Sequence, residues 1–265
     1  MKMSDDVISS EPMVRFNSNG VFQSTVDEVI REYRLLVHLD GAPLVKVVLS
    51  PSRIQEFVTG FLVNECFIDS YDEIKSLEIS GNSVFVSRHR PSPIPGINAA
   101  EIESSGAVRI ARSTGTEKSR PPLVPEPLVA ADVIVRCMKY LDGMPVHRRT
   151  GGTHCAVLFT AEGEFIFGCE DIGRHNAVDK TVGGAIREGA DIERSWMAVA
   201  GRLPADMVRK PAAAGIPLIA SRAAATVDGI RTGNRTGVTV IGHCKNGSFN
   251  CYCHPERIKE YTAIR

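Results

Sequence analysis

The sequence predicts an α/β protein, with a large sheet-and-helix domain preceded by a smaller α+β unit. Two observations predict it. In the second half, short apolar strands alternate with helices, the pattern of a sheet covered on its faces by helices. In the first half, two hairpin patterns flank a single amphipathic helix.

The chain has 265 residues, 43% hydrophobic and 23% charged, as an ordinary globular protein would be. Its 31 Lys and Arg balance 31 Asp and Glu, so charge suggests neither nucleic acid nor an anionic membrane as a partner. No apolar run approaches the roughly 20 residues needed to span a bilayer. Residues 1–11 lack the apolar centre of a signal peptide, so a cytoplasmic protein is expected. Seven scattered cysteines do not form a disulfide framework.

Residues 1–25 are polar and are expected to be a loose arm. The small α+β unit is assigned to 26–105. Leu35 to Gly41 and Leu44 to Leu49 read as strands joined at Asp40-Gly41. A helix from Arg53 to Asn64 follows, with Ile54, Phe57, Val58, Phe61 and Leu62 at helical spacing and Ser52 as its expected N-cap. Ile74–Ile79 and Ser83–Ser87 make a second hairpin around Gly81-Asn82. Residues 106–128 are read as an exposed loop, basic at Arg112, Lys118 and Arg120 and ending in Pro121, Pro122, Pro125 and Pro127.

The large domain is assigned to 129–265. An amphipathic helix spans Leu128 to Leu141. Thr150-Gly151-Gly152-Thr153-His154 then turns into a strand through Cys155 to Phe159. Later strands end at Gly201-Arg202, at Ser221-Arg222 and at Gly242, the second leading into a helix from Ala223 to Ile230. Sheets of this kind bind ligands beyond their strand ends. Arg174, Arg202 and Arg222 at three such ends would suit a phosphate-bearing ligand.

The most informative stretch is Cys169-Glu170-Asp171-Ile172-Gly173-Arg174-His175-Asn176-Ala177-Val178-Asp179-Lys180. It reads as a strand, a bend at Gly173 and a helix opening with Arg174, His175 and Asn176. Helix starts present free N–H groups and attract anions. His175 and Asp179, four apart, share a helix face.

This stretch, together with Arg149-Thr150-Gly151-Gly152-Thr153-His154, Gly201-Arg202, Met207-Val208-Arg209-Lys210 and Ala214-Gly215-Ile216-Pro217, resembles the formate dehydrogenase accessory protein family, FdhD/NarQ. Gly60-Phe61-Leu62-Val63-Asn64-Glu65 looks like that family's early helix, and the resemblance runs from about residue 30 to the C-terminus. It implies a large domain of the three-layer, cytidine deaminase-like fold, and a cytoplasmic homodimer. It implies sulfur taken as a persulfide from a cysteine desulfurase and passed to molybdenum or tungsten bis-molybdopterin guanine dinucleotide, held as cargo before insertion into formate dehydrogenase. The cofactor-binding positions it suggests are Gly152, Thr153, His154, Gly173, Arg174, His175, Asn176, Gly201, Arg202 and Arg222, with a loop at His243, Cys244, Lys245, Asn246, Gly247 and Ser248.

The sequence departs from the family at the loop, where a Cys-x-x-Cys pair is usual. Thr114 and Glu117 stand at the two cysteine positions, and neither a hydroxyl nor a carboxylate can carry a persulfide. Cys155, next to His154, is the substitute candidate, since a neighbouring histidine can lower a thiol pKa. A non-catalytic cofactor-binding chaperone is the alternative. At the C-terminus, Cys251 and Cys253 share a strand face by spacing, near His243, Cys244 and His254. That is not the paired Cys-x-x-Cys form of zinc sites, so no metal is expected. A hydrolase using such a metal group is a third reading.

Overall fold

The structure, a computed structural model, describes residues 7–91, 100–101 and 129–263. Thr114 and Glu117, and the whole 106–128 segment, lie outside the described residues.

The fold is mixed α/β. The first strands, β1 (Ile8–Phe16) and β2 (Phe22–Ile30), pair antiparallel as a separate two-stranded ribbon. This corrects the expected loose arm from residue 8 onward. The alternation of Val14, Phe16, Phe22 and Val26 with polar residues is a strand signal that the polar composition obscures.

β3 (Tyr33–Leu39), β4 (Ala42–Leu49), β5 (Ile74–Ser80), β6 (Ser83–Arg88) and β7 (Ala100–Glu101) form a five-stranded sheet in the order β5-β6-β3-β4-β7. Both predicted hairpins are there. Helix α1 (Ile54–Asn64) crosses behind them, and its N-cap is Arg53, in the left-handed region at φ 55°, with no side-chain cap bond. Ser52 is therefore not the cap.

The second sheet has six strands: β8 (His154–Thr160), β9 (Phe165–Asp171), β10 (Ser195–Val199), β11 (Leu218–Ser221), β12 (Thr239–Lys245) and β13 (Ser248–Cys253), ordered β13-β12-β11-β10-β8-β9. β10, β11 and β12 run parallel, while β8, β9 and β13 are antiparallel to their neighbours. On one face lie α4 (Arg174–Arg187), α5 (Ala205–Ala214) and α6 (Val227–Thr236). On the other lie α2 (Ala131–Cys137) and a 3-10 turn over Met138–Gly143, with α3 (Pro145–Thr150) and α7 (Lys259–Ala263) at the margins.

Three sequence expectations shift here. The helix over Leu128–Leu141 tightens into 3-10 geometry at Met138, whose carbonyl accepts a hydrogen bond from Arg222 at 2.6 Å. Ala223–Ala225 are not helical. Leu203 bridges Ala225 and donates to Ala224, so the helix waits for Thr226, which caps it through Gly229 N–H. His243, Cys244 and Lys245 belong to β12, and only Asn246-Gly247 form the turn, both at positive φ.

A bulge also separates Cys251 from Cys253. Cys251 pairs with Ile241 and Cys253 with the adjacent Val240, so the two thiols pack on opposite faces of the sheet.

The two sheets do not have separate cores. One apolar cluster runs from the β3–β6 sheet through α1 and α4 to the six-stranded sheet. Glycines make that junction close. A Cβ on Gly60 would stand 1.8 Å from the Asp179 carbonyl oxygen, and one on Gly183 1.9 Å from that of Glu56. α1 and α4 therefore meet backbone to backbone.

Candidate functional site

Topology brings the predicted segments to one end of the six-stranded sheet. β9, β10, β11 and β12 finish there and the antiparallel β8 begins there, since His154 faces Asp171 and Ala156 faces Val199. Along that end the order is Arg174, His154, Gly201, Arg222, His243. With about 4.8 Å between strands, the row from β9 to β12 is about 19 Å long.

The first three are neighbours in space. An ideal Cβ on Gly201 would lie 3.4 Å from Arg174 Cδ and 3.8 Å from His154 Nδ1, so the missing side chain leaves room between cation and imidazole. Arg174 opens α4, and the first-turn N–H groups of a helix have no intrahelical acceptor. Its Nε is buried without a hydrogen-bond partner among the described residues. His154 is half-buried, and burial, then the charges of Arg174 and His147, hold its pKa below the ordinary 6.5.

His175, 2% exposed, places Nε2 2.8 Å from Asp206 Oδ2. That hydrogen bond, outweighing burial, brings the Asp206 carboxyl down to about 2. The ionised carboxylate accepts, so Nε2 carries the hydrogen, and Nδ1 is left buried and unpartnered. Sequence reasoning does not single out Asp206; an acidic residue in the first turn of α5, just past Gly201-Arg202, is the available signal.

The other candidates are placed differently. Gly173 is buried, and its N–H donates to Asp171 Oδ1 at 2.9 Å. Asn176 turns inward and donates to the Val48 carbonyl and to Asp171. Thr153 donates to Glu170, and Gly152 abuts Ile30 of the ribbon. Arg202 is exposed at the rim. Arg222 is consumed by Asp142, to which both terminal nitrogens donate. His243, Lys245, Asn246, Gly247 and Ser248 are exposed at the far end of the row, whereas the Cys244 side chain is buried in the core.

Cys155 is buried, and burial pushes its thiol up to about 12. Its location counts against a substitute sulfur acceptor. Among the described residues no group of three or more His, Cys, Asp or Glu is gathered to hold a metal ion.

Beneath the first turn of α4 the motif is a buried polar network. Asp171 Oδ2 accepts from Ser50 N and Oγ and lies 2.6 Å from Lys180 Nζ. Lower on α4, Asp179 accepts from Asn64 and Lys210, and Lys210 also reaches Glu65 at 3.2 Å. Burial raises the Asp179 carboxyl against the opposing pull of Lys210. Beside β9, a cleft of about 690 Å³ is lined mainly by apolar residues, among them Val7, Ile30, Met144 and Val146, and also by Ser50, Thr153 and Glu170.

Known proteins fit this architecture. The model of the FdhD/NarQ family matches residues 30–259. The chain belongs to that family. The match takes in every candidate position, including Thr114 and Glu117. Among FdhD relatives, the sulfur carrier protein FdhD of Methanothermobacter thermautotrophicus is 34% identical over 88% of this chain and 92% of its own. That of Wolinella succinogenes is 31% identical over 97% and 92%. A crystal structure from Desulfotalea psychrophila, of a protein assigned as a formate dehydrogenase accessory protein, covers 95% of this chain and 99% of its own, with a TM-score of 0.77 at 24% identity. It shows the same fold.

Proposed function

We propose that this FdhD/NarQ chain is a cytoplasmic accessory protein for formate dehydrogenase. It binds molybdenum or tungsten bis-molybdopterin guanine dinucleotide as cargo and passes to it sulfur received from a cysteine desulfurase, working as a homodimer. Helices on both faces of the six-stranded sheet favour a cytidine deaminase-like large domain.

One observation carries the binding half of this reading: Arg174, whose buried Nε has no hydrogen-bond partner among the described residues, stands at the start of a 14-residue helix beside the space left by Gly201. A phosphate there receives the Arg174 guanidinium and the first-turn N–H groups, and its negative charge raises the His154 pKa that burial and Arg174 hold down. Exposed Arg202 and Lys245 extend the same row toward the rest of a long dinucleotide.

The cysteines favour a second reading, cofactor binding without sulfur transfer. Cys137, Cys155, Cys169, Cys244 and Cys253 are buried. Burial pushes the half-buried Cys251 to about 11. Cys66 remains, half-exposed after α1. Two measurements separate the readings. Intact mass after incubation with a cysteine desulfurase and cysteine, with peptide mapping, detects persulfide. Calorimetry with GDP detects nucleotide binding. An added sulfur that reduction removes supports the carrier, whereas GDP binding with no added sulfur supports the chaperone. Absence of both overturns the proposal.

A further inference from the structure

We infer that Ser50, from the N-terminal unit, is a positioning residue for the anion-binding turn at the start of α4. The inference rests on the phosphate reading for its consequence but not for its geometry.

Asp171 is 0% exposed and is held from two sides. Its Oδ1 accepts from Gly173 N–H and from Asn176 Nδ2, both at 2.9 Å, fixing the bend that delivers Arg174 to the first helical position. Its Oδ2 accepts from Ser50 N–H at 2.9 Å and Ser50 Oγ at 2.8 Å. Lys180 Nζ closes the group, lying 2.6 Å from Asp171 Oδ2 and donating to the Ser50 carbonyl and hydroxyl. A buried carboxylate with every partner satisfied has one orientation, and that orientation sets the bend. Ser50 lies 121 residues before Asp171 in the chain. The unit carrying β3, β4 and α1 therefore controls how the large domain presents Arg174 and His175. Ser50 touches no candidate ligand group, and its effect passes through Asp171 and Gly173.

Two readouts test this on the full chain. Amide hydrogen exchange at Gly173 reads the strut without any ligand. Ser50→Ala is expected to speed it about tenfold, while Ser195→Ala, which removes a buried hydroxyl bonded to the Ile192 carbonyl at the opposite end of the sheet, leaves it unchanged. Unchanged exchange at Gly173 in folded Ser50→Ala would overturn the inference whether or not nucleotide binds. Calorimetry with GDP reads the consequence. Ser50→Ala is expected to weaken binding about fivefold to tenfold, and by less than about twofold when Arg174→Ala is already present, because the strut then has no guanidinium to place. If Ser50→Ala and Arg174→Ala instead multiply independently, positioning through the turn is overturned. If Arg174→Ala binds GDP as wild type does, the phosphate reading fails, and the exchange arm still decides the strut. Ser50→Cys, which keeps the size of the side chain and the Asp171–Lys180 pair but replaces the hydroxyl with a weak donor, serves if Ser50→Ala does not fold, and is expected to speed exchange at Gly173 in the same direction.

Discussion

Along α4, two groups of polar residues lie within two turns of each other and do opposite things. In the body, Asp179 and Lys180 are buried and spend their hydrogen bonds inside the protein, on Asn64, Lys210 and Ser50, and Asn176 spends its amide N–H groups on Val48 and Asp171, its Oδ1 alone having no partner among the described residues. In the first turn, Arg174 Nε and His175 Nδ1 are equally enclosed and have no partner among the described residues. A buried, hydrogen-bonded charge is committed to stability, whereas a buried donor such as Arg174 Nε, or a buried acceptor such as His175 Nδ1, is available to a ligand when it has no partner among the described residues. Within one motif, sites for folding and sites for binding are told apart by whether the charge is already used.

The largest expected effect comes from the body. Lys210→Met leaves Asp179 and Glu65 facing each other without their buried cation, and breaking such a group costs about 3–5 kcal/mol. Denaturant unfolding should show that loss, while the folded fraction binds GDP within about twofold of wild type. A large loss of affinity in the folded protein would merge the two regions and break the comparison.

The first turn predicts the reverse. Arg174→Ala should weaken GDP by about ten- to a hundredfold, the loss of a charge-assisted contact, with stability changed by less than about 1 kcal/mol. Calorimetry and unfolding on the same sample test both halves.

A smaller effect is read through pH. The folded-state pKa of His154 lies below 6.5, so the unfolded chain takes up the proton first. This residue's contribution to stability is therefore fully present above about 6.5 and is lost as pH falls through the lower folded value. A bound phosphate offsets the Arg174 charge and lifts the His154 pKa, so GDP affinity should move the other way and rise a few-fold between pH 8 and pH 6. His154→Ala should flatten the binding slope. A slope that survives the substitution would assign the proton elsewhere.

Much of this was legible in the sequence, for stated reasons. Alternating strands and helices predict an α/β sheet, and the rule of strand ends predicts that Arg174, Arg202 and Arg222 meet; in the structure Arg174 instead neighbours Gly201 and His154, Arg202 is exposed and Arg222 is paired with Asp142. Local chemistry alone cannot show which polar residues turn inward. Asn176 sits one position after His175, yet its amide reaches Val48, 128 residues earlier in the chain. Residues 8–25 of the ribbon read as part of an arm because its strands face solvent, with Phe22 72% exposed, so burial periodicity is muted by polar neighbours. Cys251 and Cys253 share a face by spacing, but a bulge defined by pairing with β12 separates them.

Arg222 gives the smallest and sharpest test. By sequence it is the twin of Arg174, a basic residue following a strand of the same sheet at the same end. In space it donates to Asp142 and to the Met138 carbonyl, and the Asp142 carboxyl is held below its ordinary value chiefly by that hydrogen bond. Its charge is already answered by this chain. Arg222→Ala should therefore change GDP affinity by less than about twofold and lower stability by about 1 kcal/mol or less, since the Asp142 side of the pair is largely exposed. Should Arg222→Ala match Arg174→Ala in calorimetry, Asp142 must release its partner when nucleotide binds. The Met138–Gly143 turn would then be a moving part of the site, and position at a strand end, rather than an unused charge, would be what marks a ligand residue in this fold.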